Sequence, residues 1–208
     1  MHLKRTQTSK KWPIPRKGTK FVVRPRREIA KGVPLLIILR DMLRLGQNRK
    51  EIKQILNKGE IEVNGKIRRD DKFQVLLFDI IKIKSIDKVY TLIITKAKKF
   101  SIVGAREEKI SKVIGKKILK GNLMQINLID GANLLMKEKI NVGDSVLLDS
   151  KRKIIRIIYL KEGASIIVIN GKHIGEEGKI EKIEEKSAHV LINSNKVNIN
   201  LENLMAVQ

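Results

Sequence analysis

The dipeptide Asn64-Gly65, set between Glu60-Ile-Glu-Val63 and Lys66-Ile-Arg-Arg69, constrains the fold more than any other feature of the chain. Both residues accept positive φ, as the centre of a type I′ turn requires, and the flanking segments alternate as paired strands do. A β-hairpin over 60–69 is predicted. Phe73 to Lys84 adds further strand, with Ile81 and Ile83 alternating against Lys82 and Lys84.

Two short helices are predicted upstream. Pro34 suits a first helical position, Leu35, Leu36, Ile38, Leu39, Met42 and Leu43 make a broad apolar face, and Gly46 is placed to end it. Asn48 then caps a second helix with Glu51 three residues on, Ile52, Ile55 and Leu56 form its buried stripe, and Gly59 stops it. Arg49, Lys50 and Lys53 lie off that stripe and share a solvent face.

Residues 48–69, ending in Gly-Glu-Ile-Glu-Val-Asn-Gly-Lys-Ile-Arg-Arg, resemble the small RNA-binding module named after bacterial ribosomal protein S4. In that family the second helix and the hairpin present basic side chains to structured RNA. The resemblance nominates Arg49, Lys50, Lys53, Lys58, Lys66, Arg68 and Arg69 as RNA contacts.

The charge of the chain points the same way. Its 45 Lys and Arg stand against 22 Asp and Glu, a net +23 that a polyanion would neutralise. Residues 1–32 carry 11 basic groups and one acidic group, residues 33–98 carry 15 and 8, residues 99–160 carry 13 and 6, and the last 48 residues carry 6 and 7. The first 32 residues show neither strand nor helix periodicity and are broken by Pro13, Pro15, Gly18 and Pro25, so an extended arm is predicted. Within it Lys4, Arg5, Lys10, Lys11, Arg16, Arg24, Arg26 and Arg27 are candidate RNA contacts. Trp12, the only tryptophan, suits either stacking on a base or docking in a protein pocket.

Beyond residue 86 the pattern is β. Val89 to Thr95, Phe100 to Val103, Leu123 to Leu128, Ser145 to Leu148 and Ile154 to Leu160 are β-rich runs bounded by turn signals such as Gly121-Asn122 and Gly143-Asp144, and a small barrel or half-barrel is expected. Glu107 to Lys120 is the one stretch there with helical spacing. Ile166-Ile-Val-Ile-Asn-Gly171-Lys-His-Ile-Gly175-Glu-Glu-Gly178-Lys-Ile180 resembles the glycine-containing KOW motif of small β-barrels. Gly171, Gly175 and Gly178 are read as structural, permitting positive φ and close backbone approach. Lys172, His173 and Lys179 border the same loop, where Glu176 and Glu177 add negative charge.

His2-Leu-Lys-Arg5, Trp12-Pro13, the S4-like module, the β region and the KOW segment, in that order, are similar to the S4e family of small-subunit ribosomal proteins of archaea and eukaryotes. The resemblance covers nearly the whole chain. It implies an α+β, mostly β fold: a basic N-terminal arm (1–33), a helix-helix-hairpin module (34–86), a central β-barrel-like domain (87–160) and an SH3-like KOW barrel (161–208).

Catalysis is not expected. The chain has no Cys, and His2, His173 and His189 lack an Asp or Ser arrangement resembling a triad. There is no Gly-x-x-x-x-Gly-Lys-Ser/Thr and no Gly-x-Gly-x-x-Gly, and no metal or cofactor is expected. Asp70-Asp71, beside Arg68, Arg69 and Lys72, reads as charge-paired surface groups. With no apolar run long enough to span a bilayer and no signal-like segment, a cytoplasmic protein is expected that is neither membrane-bound nor an obligate homo-oligomer. Its expected partners are small-subunit ribosomal RNA and neighbouring ribosomal proteins. The competing expectations are a transient transcription or translation factor using its KOW barrel on a protein, and an RNA-modifying enzyme with its site in 87–160.

Overall fold

A computed structural model describes residues 2–105, 107–121 and 123–207, so Asn122 of the expected Gly121-Asn122 turn lies outside the described residues. The chain divides into two compact units, Met1–Glu107 and Glu108–Gln208.

The first unit is built on the predicted hairpin. Asn64 and Gly65 have φ of 51° and 70°, as a type I′ turn demands. Ile61–Val63 and Lys66–Ile67 join Ile80–Ile83, Lys88–Ile94 and Phe100–Gly104 in one five-stranded antiparallel sheet. The Asn64 side chain latches the turn to the next strand, its Nδ2 donating to Asp79 Oδ1 at 2.9 Å and its Oδ1 accepting from Ile80 N at 3.0 Å. This sheet runs straight through the boundary expected at 86/87, because Lys88–Ile94 pairs with Ile80–Ile83 on one side and Phe100–Gly104 on the other.

Both helices form, the first in altered shape. Pro34 ends the strand Gly32–Pro34 in extended conformation and caps the helix from outside its first turn. A single α-turn, Leu35–Ile37, passes into a π-turn, Ile38–Met42, closed by Leu43 N donating to Ile38 O at 2.9 Å. Leu35 to Leu39 are all buried, so the element is surrounded by apolar side chains and has no solvent face there. It ends before Gly46, the chain turning through Arg44 at φ 54°. A Cβ on Gly46 would lie 3.0 Å from Ile52 Cδ1, so that glycine serves close packing against the second helix. That helix, Arg49–Lys58, follows the sequence closely: Asn48 Oδ1 accepts from Lys50 N and Glu51 N at 2.9 and 3.0 Å, and Gly59 closes it at φ 77°.

Residues 2–32 do not form the extended arm expected for 1–32. Leu3–Lys4 pairs with Phe21–Val22, Leu3 and Trp12 are buried, and Ile14, Val22, Val23 and Ile29 pack against the same core. Phe100 N donates to Lys11 O at 2.8 Å, tying the segment to the edge of the sheet. Its apolar residues are spaced irregularly because they are collected by tertiary contact; no single helix or strand face holds them.

In the second unit Glu108–Ile118 is a long strand where helical spacing was noted. A register shift between Val113 and Gly115 breaks its two-residue alternation, which is what imitates a helical stripe in Ile110, Val113 and Ile114. Its first half pairs with Ser145–Asp149 and its second with Met124–Leu128, within a five-stranded sheet completed by Asn133–Met136 and Ile154–Ile158. Val113, Ile126, Leu128, Val146 and Leu148 fill its core. The C-terminal sheet has the order Asn195–Asn200, Ser187–Ile192, Glu177–Ile183, Ser165–Val168, Leu204–Ala206 around Ile166, Val168, Ile180, Val190 and Leu204. Of the three motif glycines, Gly171 and Gly175 have φ of 95° and 81°. Gly178 does not use positive φ; a Cβ there would come within 2.6 Å of Leu191 O, so close strand approach alone requires it.

Lys112 joins the two sheets of this unit. Its buried ammonium donates to the carbonyls of Leu201, Glu202 and Leu204 at 2.6, 3.0 and 2.6 Å. Lys109, also buried, meets Asp130 at 2.5 Å. Neither lysine is available as a solvated charge.

Candidate nucleic-acid interface

The helix Arg49–Lys58 is fastened at its start to the segment that follows the hairpin, and its end lies beside the hairpin's return side. At the start of the helix, Arg49 Nε donates to Asp71 Oδ2 at 2.5 Å. At its end, the Arg69 guanidinium lies 3.8 Å from the position of a Cβ on Gly59. Lys50, Lys53, Lys58, Lys66 and Arg69 are exposed, and among the described residues none of them forms an ion pair. A cluster of uncompensated cations on a helix and an adjacent β-ribbon attracts phosphate.

Two of the nominated arginines are instead engaged within the protein. Arg49 is committed to Asp71, which is buried, so the Asp70-Asp71 pair is not wholly at the surface. Asp70 pairs with Arg26 at 2.6 Å. Arg68 stacks its guanidinium 4.2 Å over the Phe73 ring.

The N-terminal candidates separate similarly. Trp12 is 1% exposed and its Nε1 donates to Gly32 O at 2.9 Å, so it docks in protein and offers no face to a base. Arg5 spends its guanidinium on Pro15 O, Thr19 O and Thr19 Oγ1 at 2.7–2.9 Å. Lys4, Lys10, Arg16, Arg24 and Arg27 are exposed, and Lys11 is half-buried.

Three lysines not nominated from the sequence extend the basic surface of this unit. The hairpin turn Thr95–Lys99 is fixed by Lys98 N donating to Thr95 O at 2.8 Å and Thr95 N to Lys99 O at 2.9 Å, with Lys98 at φ 58°. Lys96, Lys98 and Lys99 are exposed there, and the Lys11–Phe100 backbone bond brings Lys10 and Lys11 beside them. The signal was present as a Lys-Ala-Lys-Lys block between two strand-like runs. In the KOW loop, His173 Nδ1 and Glu176 Oε2 lie 2.8 Å apart, so that carboxylate is engaged locally.

An S4-type module with a basic helix and ribbon, followed by β domains ending in a KOW barrel, defines a modular RNA-binding protein of ribosomal type. Comparison with known proteins agrees along the chain: the S4 domain matches residues 33–81, Ribosomal family S4e residues 86–155 and the KOW motif residues 162–193. Small ribosomal subunit protein eS4 of Methanocella arvoryzae is 37% identical over 189 residues, covering 88% of this chain and 81% of that protein. The Archaeoglobus fulgidus protein of the same name is 34% identical over 199 residues, covering 92% and 85%. The crystal structure of 30S ribosomal protein S4e from Thermoplasma acidophilum superposes with a TM-score of 0.72 at 27% identity, covering 85% of this chain and 95% of that one. The chain belongs to the small ribosomal subunit protein eS4 family.

Proposed function

We propose that this protein is a structural constituent of the small ribosomal subunit that holds folded ribosomal RNA and contacts neighbouring ribosomal proteins in the cytoplasm. The observation that carries this reading is the set of exposed cations, Lys50, Lys53, Lys58, Lys66 and Arg69, that have no ion-pair partner among the described residues and lie on one helix and its adjoining ribbon. Lys4, Lys10, Lys11, Arg16, Arg24 and Arg27 extend the phosphate-contacting set, joined by Lys96, Lys98 and Lys99. Arg5, Arg49 and Arg68 position these elements.

In this reading the protein performs no chemistry and needs no cofactor or metal. The histidines of its second unit are engaged locally: His173 faces Glu176 and His189 faces Glu184, and Ser187 Oγ donates to that same Glu184 carboxylate, whereas a nucleophilic serine would be bonded to an imidazole base. It works as one copy among other ribosomal components, away from membranes. A-form grooves are poorly read by side chains, so recognition follows RNA shape.

The test is retention and salt dependence. The protein should remain with purified small subunits through a high-salt wash that strips transient factors. Free protein should lose roughly three to five powers of ten in affinity for folded ribosomal RNA between about 50 and 200 mM salt. Release in the wash together with a flat salt profile would overturn the proposal in favour of a transient factor.

A further inference from the structure

Burial of Trp12 removes the obvious ring for stacking on RNA, yet the same segment offers another. Leu3 and Val22 face each other across the ribbon and turn inward, so their neighbours Lys4 and Phe21, also directly opposed, turn outward together. Phe21 is 46% exposed. The His2 ring lies beside it, centroids 5.1 Å apart at 41°, and Lys20 Nζ stands 5.5 Å from its centroid.

This surface is braced from behind. Arg5 ties the first strand to Pro15 and Thr19, and the chain passes its guanidinium at Gly18, where φ is 140° and a Cβ would come within 3.1 Å. A phenylalanine has no polar atom to hold in water, so a rigid ribbon that keeps one half-exposed maintains an uncovered apolar face. The rim of that face is cationic: Lys4 and Lys20 border it, and residues 2–27 contain no acidic residue. Apolar neighbours would favour a protein knob. A ring bordered by ammonium groups fits a planar base with phosphates on either side.

We propose that Phe21 and His2 form a stacking platform for an unpaired RNA base, with Lys4 and Lys20 meeting the flanking phosphates. This rests on the RNA-binding reading above and adds to it a single-stranded contact distinct from the S4-type face.

The experiment uses the full-length protein and a short single-stranded RNA carrying 2-aminopurine, whose fluorescence is quenched on stacking, alongside a salt titration with folded ribosomal RNA. Wild type should quench the probe. Phe21→Leu, which keeps an apolar side chain and changes no charge, should weaken single-strand binding about five- to 100-fold, the effect of losing one base-on-ring stack, with the salt slope unaltered. Phe21→Tyr should bind within about twofold of wild type, as expected if only a π face is needed. His2→Ala should lose part of the quench, and it reads the platform independently should Phe21→Leu lower the melting temperature. In purified subunits, ultraviolet crosslinking should attach a nucleotide to His2 or Phe21.

Equal binding by wild type and Phe21→Leu, equal losses in Phe21→Leu and Phe21→Tyr, or a crosslink from this peptide to protein and not RNA would each overturn the platform. If those results came with steep salt-dependent binding of folded RNA, the ribosomal reading would stand and only the platform would fall. Absence of any salt-dependent RNA binding would remove both.

Discussion

Arg49 Nε donates to Asp71 Oδ2 at 2.5 Å, joining a half-exposed guanidinium to a carboxylate that is 7% exposed. The pair fastens the first turn of the S4-type helix to the segment that follows the hairpin. Arg49→Gln leaves the Asp71 carboxylate without this partner, and because the arginine is partly solvated the loss should be about 1–2 kcal/mol, below the scale of a fully buried pair. Lys50→Gln and Lys53→Gln should leave the melting temperature unchanged while weakening RNA binding and reducing its salt slope. Thermal melts run beside binding titrations separate the two behaviours.

Trp12→Ala removes a fully buried indole whose Nε1 is bonded to Gly32 O. It should destabilise the first unit by about 3–5 kcal/mol in denaturant unfolding, the range for large aromatic truncations in cores. Deleting residues 1–32 should lower stability by at least as much. An extended arm would have predicted a loss of RNA binding with the fold untouched.

Lys112 supplies a pH signature. Burial lowers its pKa to about 8, opposed weakly by Glu202. In the unfolded chain lysine keeps a value near 10.4, so across the intervening window the unfolded state binds more protons and this group's contribution to stability rises with pH. The burial cost is fully present below about pH 8. Relative to Lys112→Met, wild type should gain on the order of 2 kcal/mol between about pH 7 and pH 10, read from unfolding curves of both proteins.

Gly178→Ala should cost about 1–3 kcal/mol, because its Cβ would come within 2.6 Å of the Leu191 carbonyl, a backbone atom that cannot rotate away. Gly175→Ala should also destabilise, through the strain of φ 81°. Replacing Gly175 by D-alanine in a semisynthetic protein isolates its cause, since a D residue accepts φ 81° and should restore most of the stability lost by the L-alanine variant.

Features encoded in a few adjacent residues were readable in the sequence. Asn64-Gly65 specified its turn, Asn48 its cap and Gly59 its stop, since each acts through its own dihedrals or through backbone groups within one helical turn. What escaped depends on distant partners. Nothing near Trp12 announces Gly32 or Phe100, and nothing near Lys112 announces three carbonyls some ninety positions later. The basic face was legible by charge, but the division between cations facing solvent and those committed to protein was not. Arg49 is distinguished from Lys50 only by Asp71 lying within reach, and the buried Trp12 from the half-exposed Phe21 only by the tertiary contacts each ring meets.

The bond from Phe100 N to Lys11 O has a consequence in time. Synthesis delivers Lys11 and Trp12 to solvent well before the strand Phe100–Gly104 exists to receive them. Until that strand emerges, the first segment lacks this tie to the sheet edge, and making it requires one of the more sequence-distant contacts of its unit. The order of events is thus set by the chain: the S4-type hairpin can form locally and early, whereas the N-terminal segment is fastened to the sheet edge only as the last strand of that sheet is laid down.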